Sequence, residues 1–126
     1  MAKKNILVVD DDKGWVRMLT ERLEYEGYHV DVAFDTLNGV AQAIKLKPDL
    51  ILLDILMPAG GGIIALKNIR ESSITFNIPV IVITGRLDIE TKEKAEKLGI
   101  SDYFLKPIDS SKLMNRIREI LDKNAP

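Results

Sequence analysis

Four short apolar runs in this chain end in side chains able to do chemistry. Asp10 and Asp11 follow Ile6-Leu7-Val8-Val9, and Asp54 follows Leu50-Ile51-Leu52-Leu53. Thr84 follows Val80-Ile81-Val82-Ile83, and Lys106 follows Tyr103-Phe104-Leu105. Carboxylates gathered at one place repel, and each raises the pKa of its neighbours. A hard divalent cation with oxygen ligands relieves that repulsion, and Mg2+ is the common choice in phosphoryl chemistry. A lysine adds a fixed positive charge, and a threonine hydroxyl can donate to an anionic oxygen. A carboxylate nucleophile, a neutralising cation and oxygen clamps are the parts of phosphoryl transfer. One aspartate after an apolar run means little; the weight lies in several such groups arriving together.

For these groups to meet, the elements that carry them must run parallel. Leu50 to Leu53 reads as a strand buried on both faces, as strands of parallel sheets are. Pro58 lacks a donor and fixes its own φ, so regular structure stops there. Asp54 is thereby placed at the C-terminal tip of a central strand, where ligands bind in open α/β sheets. Helical patterns alternate with the strands. Trp15, Leu19 and Leu23, with Met18 beside them, make one apolar face, and Gly27 closes that helix. His29 to Ala33 alternates as a short edge strand. Asp35 or Thr36 caps a second helix whose inner face is Leu37, Val40, Ala41 and Ile44, with Pro48 beyond its end. Ala59-Gly60-Gly61-Gly62 reads as a very flexible loop. Ile63, Leu66 and Ile69, with Ile64, give a third helix its face, and residues 72–77 form a polar connection containing Ile74 and Phe76. The fourth helix, from Asp88 to Leu98, is charge-rich, with Ile89, Ala95 and Leu98 as its clear apolar positions and Gly99 as its cap. Asp109 or Ser110 caps a fifth helix with Leu113, Ile117, Ile120 and Leu121 inward, and residues 122–126 read as a frayed tail. Five strand–helix pairs argue an α/β fold with a parallel sheet covered on both faces and right-handed crossovers. All strand tips then lie along one edge. If the first and third strands are neighbours, the three carboxylates fall within a few ångströms of one another.

Length and composition bound the function. At 126 residues the chain suits one domain, 1–126, with a single core, and 46% apolar residues suffice to fill it. A net charge of −1 gives no support for nucleic-acid or anionic-membrane binding, which would want a basic excess. The absence of cysteine removes disulfides and thiolate chemistry. The apolar run after Lys3 and Lys4 is too short for a signal peptide or a membrane span, so the expected location is cytoplasmic.

Four motifs, in order and covering nearly the whole chain, carry a resemblance. They are Ile6 to Asp11; Asp54-x-x-Met57-Pro58-x-x-x-Gly62; Ile81 to Gly85; and Tyr103-Phe104-Leu105-Lys106-Pro107. Together they resemble bacterial response-regulator receiver domains of the chemotaxis-regulator type. The resemblance implies a flavodoxin-like, doubly wound (βα)5 sheet of order 2-1-3-4-5. It implies that Asp54 is the phospho-acceptor. Asp11, Asp54 and the backbone carbonyl of Leu56 would bind Mg2+ directly, with Asp10 acting mostly through a water. Thr84 and Lys106 would hold phosphoryl oxygens, and the Lys106–Pro107 bond would be cis. The donor would be a phosphohistidine on a sensor histidine kinase or phosphotransfer protein, or acetyl phosphate. Thr84 and Tyr103 would form the switch, with Tyr103 turning from an exposed to a buried rotamer. That would remodel the face of the fourth helix, fifth strand and fifth helix, where a downstream protein binds. The domain would act as a monomer or weak dimer, catalysing only its own phosphorylation and slow dephosphorylation.

Plainer readings stand beside these. Asp10 to Asp12 can be a solvated loop start and helix N-cap, a role that suits Asp12 best. Thr84 can cap the next helix, and Tyr103 can be an ordinary strand aromatic. Trp15 reads as core near the acidic edge, and His29 as a surface strand residue. The charged fourth helix suits either a solvated face or a partner surface. The sequence departs from the family in having Gly61 where an aspartate is frequent, which suggests a more mobile loop. Leu56 and Arg86, two residues beyond Asp54 and Thr84, are placed to tune phosphoryl lifetime, Leu56 by limiting water and Arg86 by reaching over the site. Two rival functions are a binding module that works without phosphorylation and an enzyme acting on external phosphate esters. The complete acidic, lysine and threonine set argues against the first, and the lack of a poised general acid against the second.

Overall fold

The computed structural model describes residues 3–57 and 61–123. Pro58, Ala59 and Gly60, and the last residues of the expected tail, 124–126, lie outside the described residues. Five strands, β1 (Asn5–Val9), β2 (His29–Ala33), β3 (Leu50–Leu53), β4 (Val80–Thr84) and β5 (Asp102–Leu105), alternate with α1 (Lys13–Tyr25), α2 (Thr36–Leu46), α3 (Gly61–Glu71), α4 (Ile89–Leu98) and α5 (Ser110–Lys123). The strands form one parallel sheet in the order β2-β1-β3-β4-β5, as expected. No described helix is long and apolar enough to cross a membrane.

Alternation along each strand divides the core in two. Ile6 and Val8 of β1, Leu50 and Leu52 of β3, and Ile81 and Ile83 of β4 face α1 and α5, where Leu19, Leu23, Leu113 and Ile117 meet them. Leu7, Val9, Ile51, Leu53, Val80 and Val82 face the other way, onto Ala43 of α2, Leu66 and Ile69 of α3 and Ala95 of α4. A central strand with both faces covered must be apolar at every position, which is why β1, β3 and β4 read as uninterrupted runs.

Helix ends follow their capping residues. Asp12, Asp35 and Asp88 accept hydrogen bonds from the amides of Trp15, Asn38 and Thr91, and Asp109 accepts from those of Ser111 and Lys112. Past α1 the chain turns through Gly27 at a φ of 98°, with the Tyr28 amide returning to the Leu23 carbonyl.

Several expectations need correction. In α1, Val16 is buried and Met18 is exposed. In α2 only Val40 of the expected inner stripe packs on the core: Leu37 is 81% exposed, Ala41 and Ile44 are exposed, and Gly39 and Ala43 meet the sheet instead. The cause is closeness of approach. A Cβ on Gly39 would lie 2.8 Å from a Val9 methyl, so small residues occupy the contact. The larger stripe lines a shallow groove toward Ile64 and Ala65 of α3, and Ile64 is exposed. Gly61 and Gly62 are no flexible loop; they are the buried first residues of α3. A Cβ on Gly62 would fall 2.1 Å from the Ile55 carbonyl oxygen, a space only glycine leaves free. Ile89 is exposed at the start of α4. Residues 122 and 123 continue α5 rather than fraying.

Candidate functional site

The register decides which groups meet. Val9 pairs with Leu53, Leu53 with Val82, and Thr84 with Leu105. Asp10 and Asp54 therefore leave the sheet side by side, while Thr84 and Lys106 stand next to each other two strands along. Ladder bonds continue past the strand ends and fix this rim: the Asp54 amide donates to the Val9 carbonyl at 2.9 Å, and the Lys106 amide to the Thr84 carbonyl at 2.8 Å. Asp11, Asp12, Asp54, Leu56, Thr84, Gly85, Arg86 and Lys106 line a cleft of about 440 Å³ at this edge.

Carboxylate oxygens of Asp10, Asp11 and Asp54 all lie within 4.8 Å of one another. Asp10 is buried and both of its oxygens are engaged. Oδ1 accepts from the Asp12 amide and Oδ2 from the Lys106 ammonium, each at 2.9 Å. Burial pushes the Asp10 carboxyl above the usual aspartate value, against the opposing pull of the Lys106 and Asp12 hydrogen bonds. Asp11 is exposed in the cleft, and Asp54 is buried, its Oδ1 accepting from the Leu56 amide at 2.9 Å. Hard oxygen donors at this closeness fit a small divalent cation.

Thr84 is fully buried at the end of β4, and its hydroxyl has no hydrogen-bond partner among the described residues. A buried polar group without a partner is uncommon. Its place between Asp54 and Lys106 along the rim is where an added anionic oxygen would supply one. The Tyr103 hydroxyl is already buried, beside the Asp88 backbone, rather than in the expected exposed rotamer, and burial raises its pKa. The ring is half-buried against the core under α2, α3 and α4, with the Lys92 ammonium 5.3 Å from its centroid. Arg86 is exposed at the mouth of the cleft and Leu56 is half-buried in its wall. The Lys106–Pro107 bond is cis.

Two relations escaped the sequence. The Leu56 amide orients the Asp54 carboxylate, a backbone role that no side-chain type announces. Trp15 does more than fill the core: the Lys106 ammonium lies 5.1 Å from the centroid of an indole ring. The signal available was position, since Trp15 sits in the first turn of the helix that leaves the acidic rim. His29 is exposed on edge strand β2, 3.2 Å from Asp31, away from the cleft.

A second cleft of about 440 Å³ opens at the other end of the sheet, beside Arg70 and Arg116. Its arginines are already committed. Arg70 donates to the carbonyls of Gly99, Phe76 and Ile78, and Arg116 to Asp102, Glu119 and the Ser101 carbonyl. These bonds strap loops together, and burial lowers the Arg70 pKa.

Comparison with known proteins agrees with this geometry. Residues 6–118 match the family described as response regulator receiver domain. The chain is 35% identical over 116 residues to the DNA-binding dual master transcriptional regulator RpaA of Synechocystis, covering 92% of this chain and 48% of that protein. It is 36% identical to the response regulator ArlR of Staphylococcus saprophyticus, again over 92% of this chain and 51% of the relative. The chain thus spans about half the length of these relatives. Among solved structures, a CheY-like receiver domain protein from Methanospirillum hungatei superposes with a TM-score of 0.91 at 30% identity, covering 97% of this chain and 96% of that one. The chemotaxis protein CheY4 of Vibrio cholerae superposes with a TM-score of 0.86 at 27% identity, covering 94% and 99%.

Proposed function

The chain belongs to the response regulator receiver domain family, and from that premise we propose that it is a phospho-accepting switch with Asp54 as the acceptor. One observation carries this reading. Three carboxylates within 4.8 Å, a lysine bonded to one of them and a buried hydroxyl without a partner share one strand edge. We read residues 1–126 as a single receiver domain.

An Asp54 carboxylate oxygen attacks the phosphorus in line. The bond from phosphorus to the donor breaks, to the imidazole nitrogen of a phosphohistidine or to the acetate oxygen of acetyl phosphate. The Leu56 amide on Oδ1 fixes the attacking carboxylate. Holding it in one orientation removes much of the entropic barrier to attack. Lys106 and Thr84 take the transferred oxygens, Lys106 by moving its ammonium from Asp10 and Thr84 by donating its free hydroxyl. Asp11, Asp54 and the Leu56 carbonyl are the groups that would hold Mg2+, with Asp10, already engaged on both oxygens, acting through water. When bound, the cation neutralises the charge gathered at the acceptor. Attack by water later releases inorganic phosphate and restores Asp54. The apolar Leu56 wall and Arg86 at the mouth govern how readily that water arrives.

Output passes through Thr84. A hydroxyl drawn toward the phosphoryl group leaves space beside Tyr103, whose ring packs one strand away, and the α4–β5–α5 face changes. The partners are a sensor kinase or phosphotransfer protein and a downstream protein on that face. Neither nucleic acid nor membrane is contacted directly, the domain works as a monomer or weak dimer, and the location is cytoplasmic. Its catalysis is confined to its own phosphorylation and dephosphorylation.

Acetyl phosphate and Mg2+ added to the protein, followed by intact mass, test the reading. The native chain gains one phosphoryl group and Asp54→Asn gains none. A native chain that gains nothing, yet still binds a partner, would move the function to a phosphorylation-independent module.

A further inference from the structure

Lys106 is held from two sides. Its ammonium donates to Asp10 at 2.9 Å and lies 5.1 Å from the centroid of the Trp15 ring, and the lysine side chain is only 18% exposed. A lysine over an aromatic face within about 6 Å is attracted by the ring quadrupole, most strongly by indole and more so when water is excluded. The Trp15 amide donates to the N-cap Asp12 at 3.1 Å, and the side chain packs on the core between α1 and α5, in a narrow groove with Leu19, Ile108 and Leu113.

From this geometry we propose that Trp15 is a positioning residue for Lys106. The proposal rests on the reading of the rim as a phosphoryl site. A lysine stem is flexible, and its ammonium is a strongly hydrated point charge. With Asp10 as its sole anchor, Lys106 would have to leave a strong, directional bond to reach a phosphoryl oxygen, passing through solvent-exposed conformers. The indole face supplies an attraction that does not point at a single acceptor. The ammonium can turn from Asp10 toward the acceptor while it stays over the ring. The two other lysine–aromatic contacts among the described residues differ. Lys13 over Phe34, at 5.5 Å, joins two exposed residues, and Lys92 over Tyr103, at 5.3 Å, involves a lysine outside the cleft.

Trp15 is the only tryptophan in the chain, so tryptophan emission reports the surroundings of this one ring, Lys106 among them. The first arm uses metal-free protein without donor. Lys106→Met shifts the Trp15 emission maximum or intensity, and an unchanged spectrum overturns the proposal. The second arm follows phosphoryl uptake from acetyl phosphate by intact mass in the native chain, Trp15→Phe and Trp15→Leu, with melting curves for each. Trp15→Leu slows uptake about fivefold, and Trp15→Phe, which keeps a π face, recovers to within about twofold of the native rate. A folded Trp15→Leu with the native rate overturns the proposal, as does an equal loss in both variants, which would mean packing shape alone. If Trp15→Leu does not fold, the emission arm and Trp15→Phe decide. A native chain with no uptake instead refutes the phospho-acceptor reading and this proposal with it, an outcome told apart because it appears before any substitution.

Discussion

At the scale of single residues, the site retains groups that cost stability. The Thr84 hydroxyl is fully buried with no partner among the described residues. An orphaned buried donor costs roughly 1–3 kcal/mol. Thr84→Val keeps the shape and removes the orphan, so urea unfolding should give a protein more stable by about 1 kcal/mol, while phosphoryl uptake falls. A less stable Thr84→Val would mean that the hydroxyl is satisfied, and that it is not reserved for a phosphoryl oxygen. Leu56 presents the opposite case, an apolar side chain in a polar cleft. Leu56→Asn should speed loss of the phosphoryl group by at least about threefold, roughly 0.65 kcal/mol of barrier, measured as decay of the phosphorylated mass after donor removal. A smaller change would remove Leu56 from the control of lifetime. Asp10, Asp11, Asp54, Thr84 and Lys106 could be picked out of the sequence because each follows an apolar run, and parallel strands send such run ends to one rim. The contact of Trp15 with Lys106 could not, because it depends on how α1 is rotated against the end of β5.

At the scale of elements, periodicity identified every helix and strand but misjudged which side chains several helices turn inward. The spacing of Leu37, Val40, Ala41 and Ile44 shows that they share a face; it cannot say that Gly39 and Ala43 let another face come closer to the sheet. Glycine carries no apolar signal, so close approach is invisible until the neighbouring atoms are placed. The same blindness made a loop of Gly61 and Gly62. The added Cβ in Gly62→Ala would meet backbone, the Ile55 carbonyl, one residue from the acceptor. Backbone yields poorly, so destabilisation of about 2–3 kcal/mol is expected. In Gly39→Ala the nearest atoms to the added Cβ belong to the Val9 side chain, and the gain in helix propensity of about 1 kcal/mol offsets much of that strain. Chemical denaturation of the two variants should rank Gly62→Ala as clearly the worse; equal effects would contradict the close packing of α3 on the β3 loop.

At the scale of the whole molecule, the fold is a device for bringing distant sequence to one edge. The order β2-β1-β3-β4-β5 sets β1 beside β3 and leaves β4 and β5 to deliver the hydroxyl and the lysine. At the opposite end of the sheet, Arg70 and Arg116 are committed to loop carbonyls. On the proposed reading, a change made at the C-terminal rim passes outward through Thr84 and Tyr103 to α4. Pull-downs with and without the beryllofluoride mimic of a phosphoryl group should therefore retain different proteins, and substitutions on the exposed face of α4 should abolish the difference. Identical retention in both states would disconnect the rim from the output face.

The central claim is that Asp54, and no other carboxylate of the cluster, is reversibly esterified. Borohydride reduces an aspartyl phosphate to homoserine. Peptide mapping after acetyl phosphate, Mg2+ and borohydride should find homoserine at position 54 alone. Homoserine at position 10 or 11, or an intact aspartate at all three, would contradict the account.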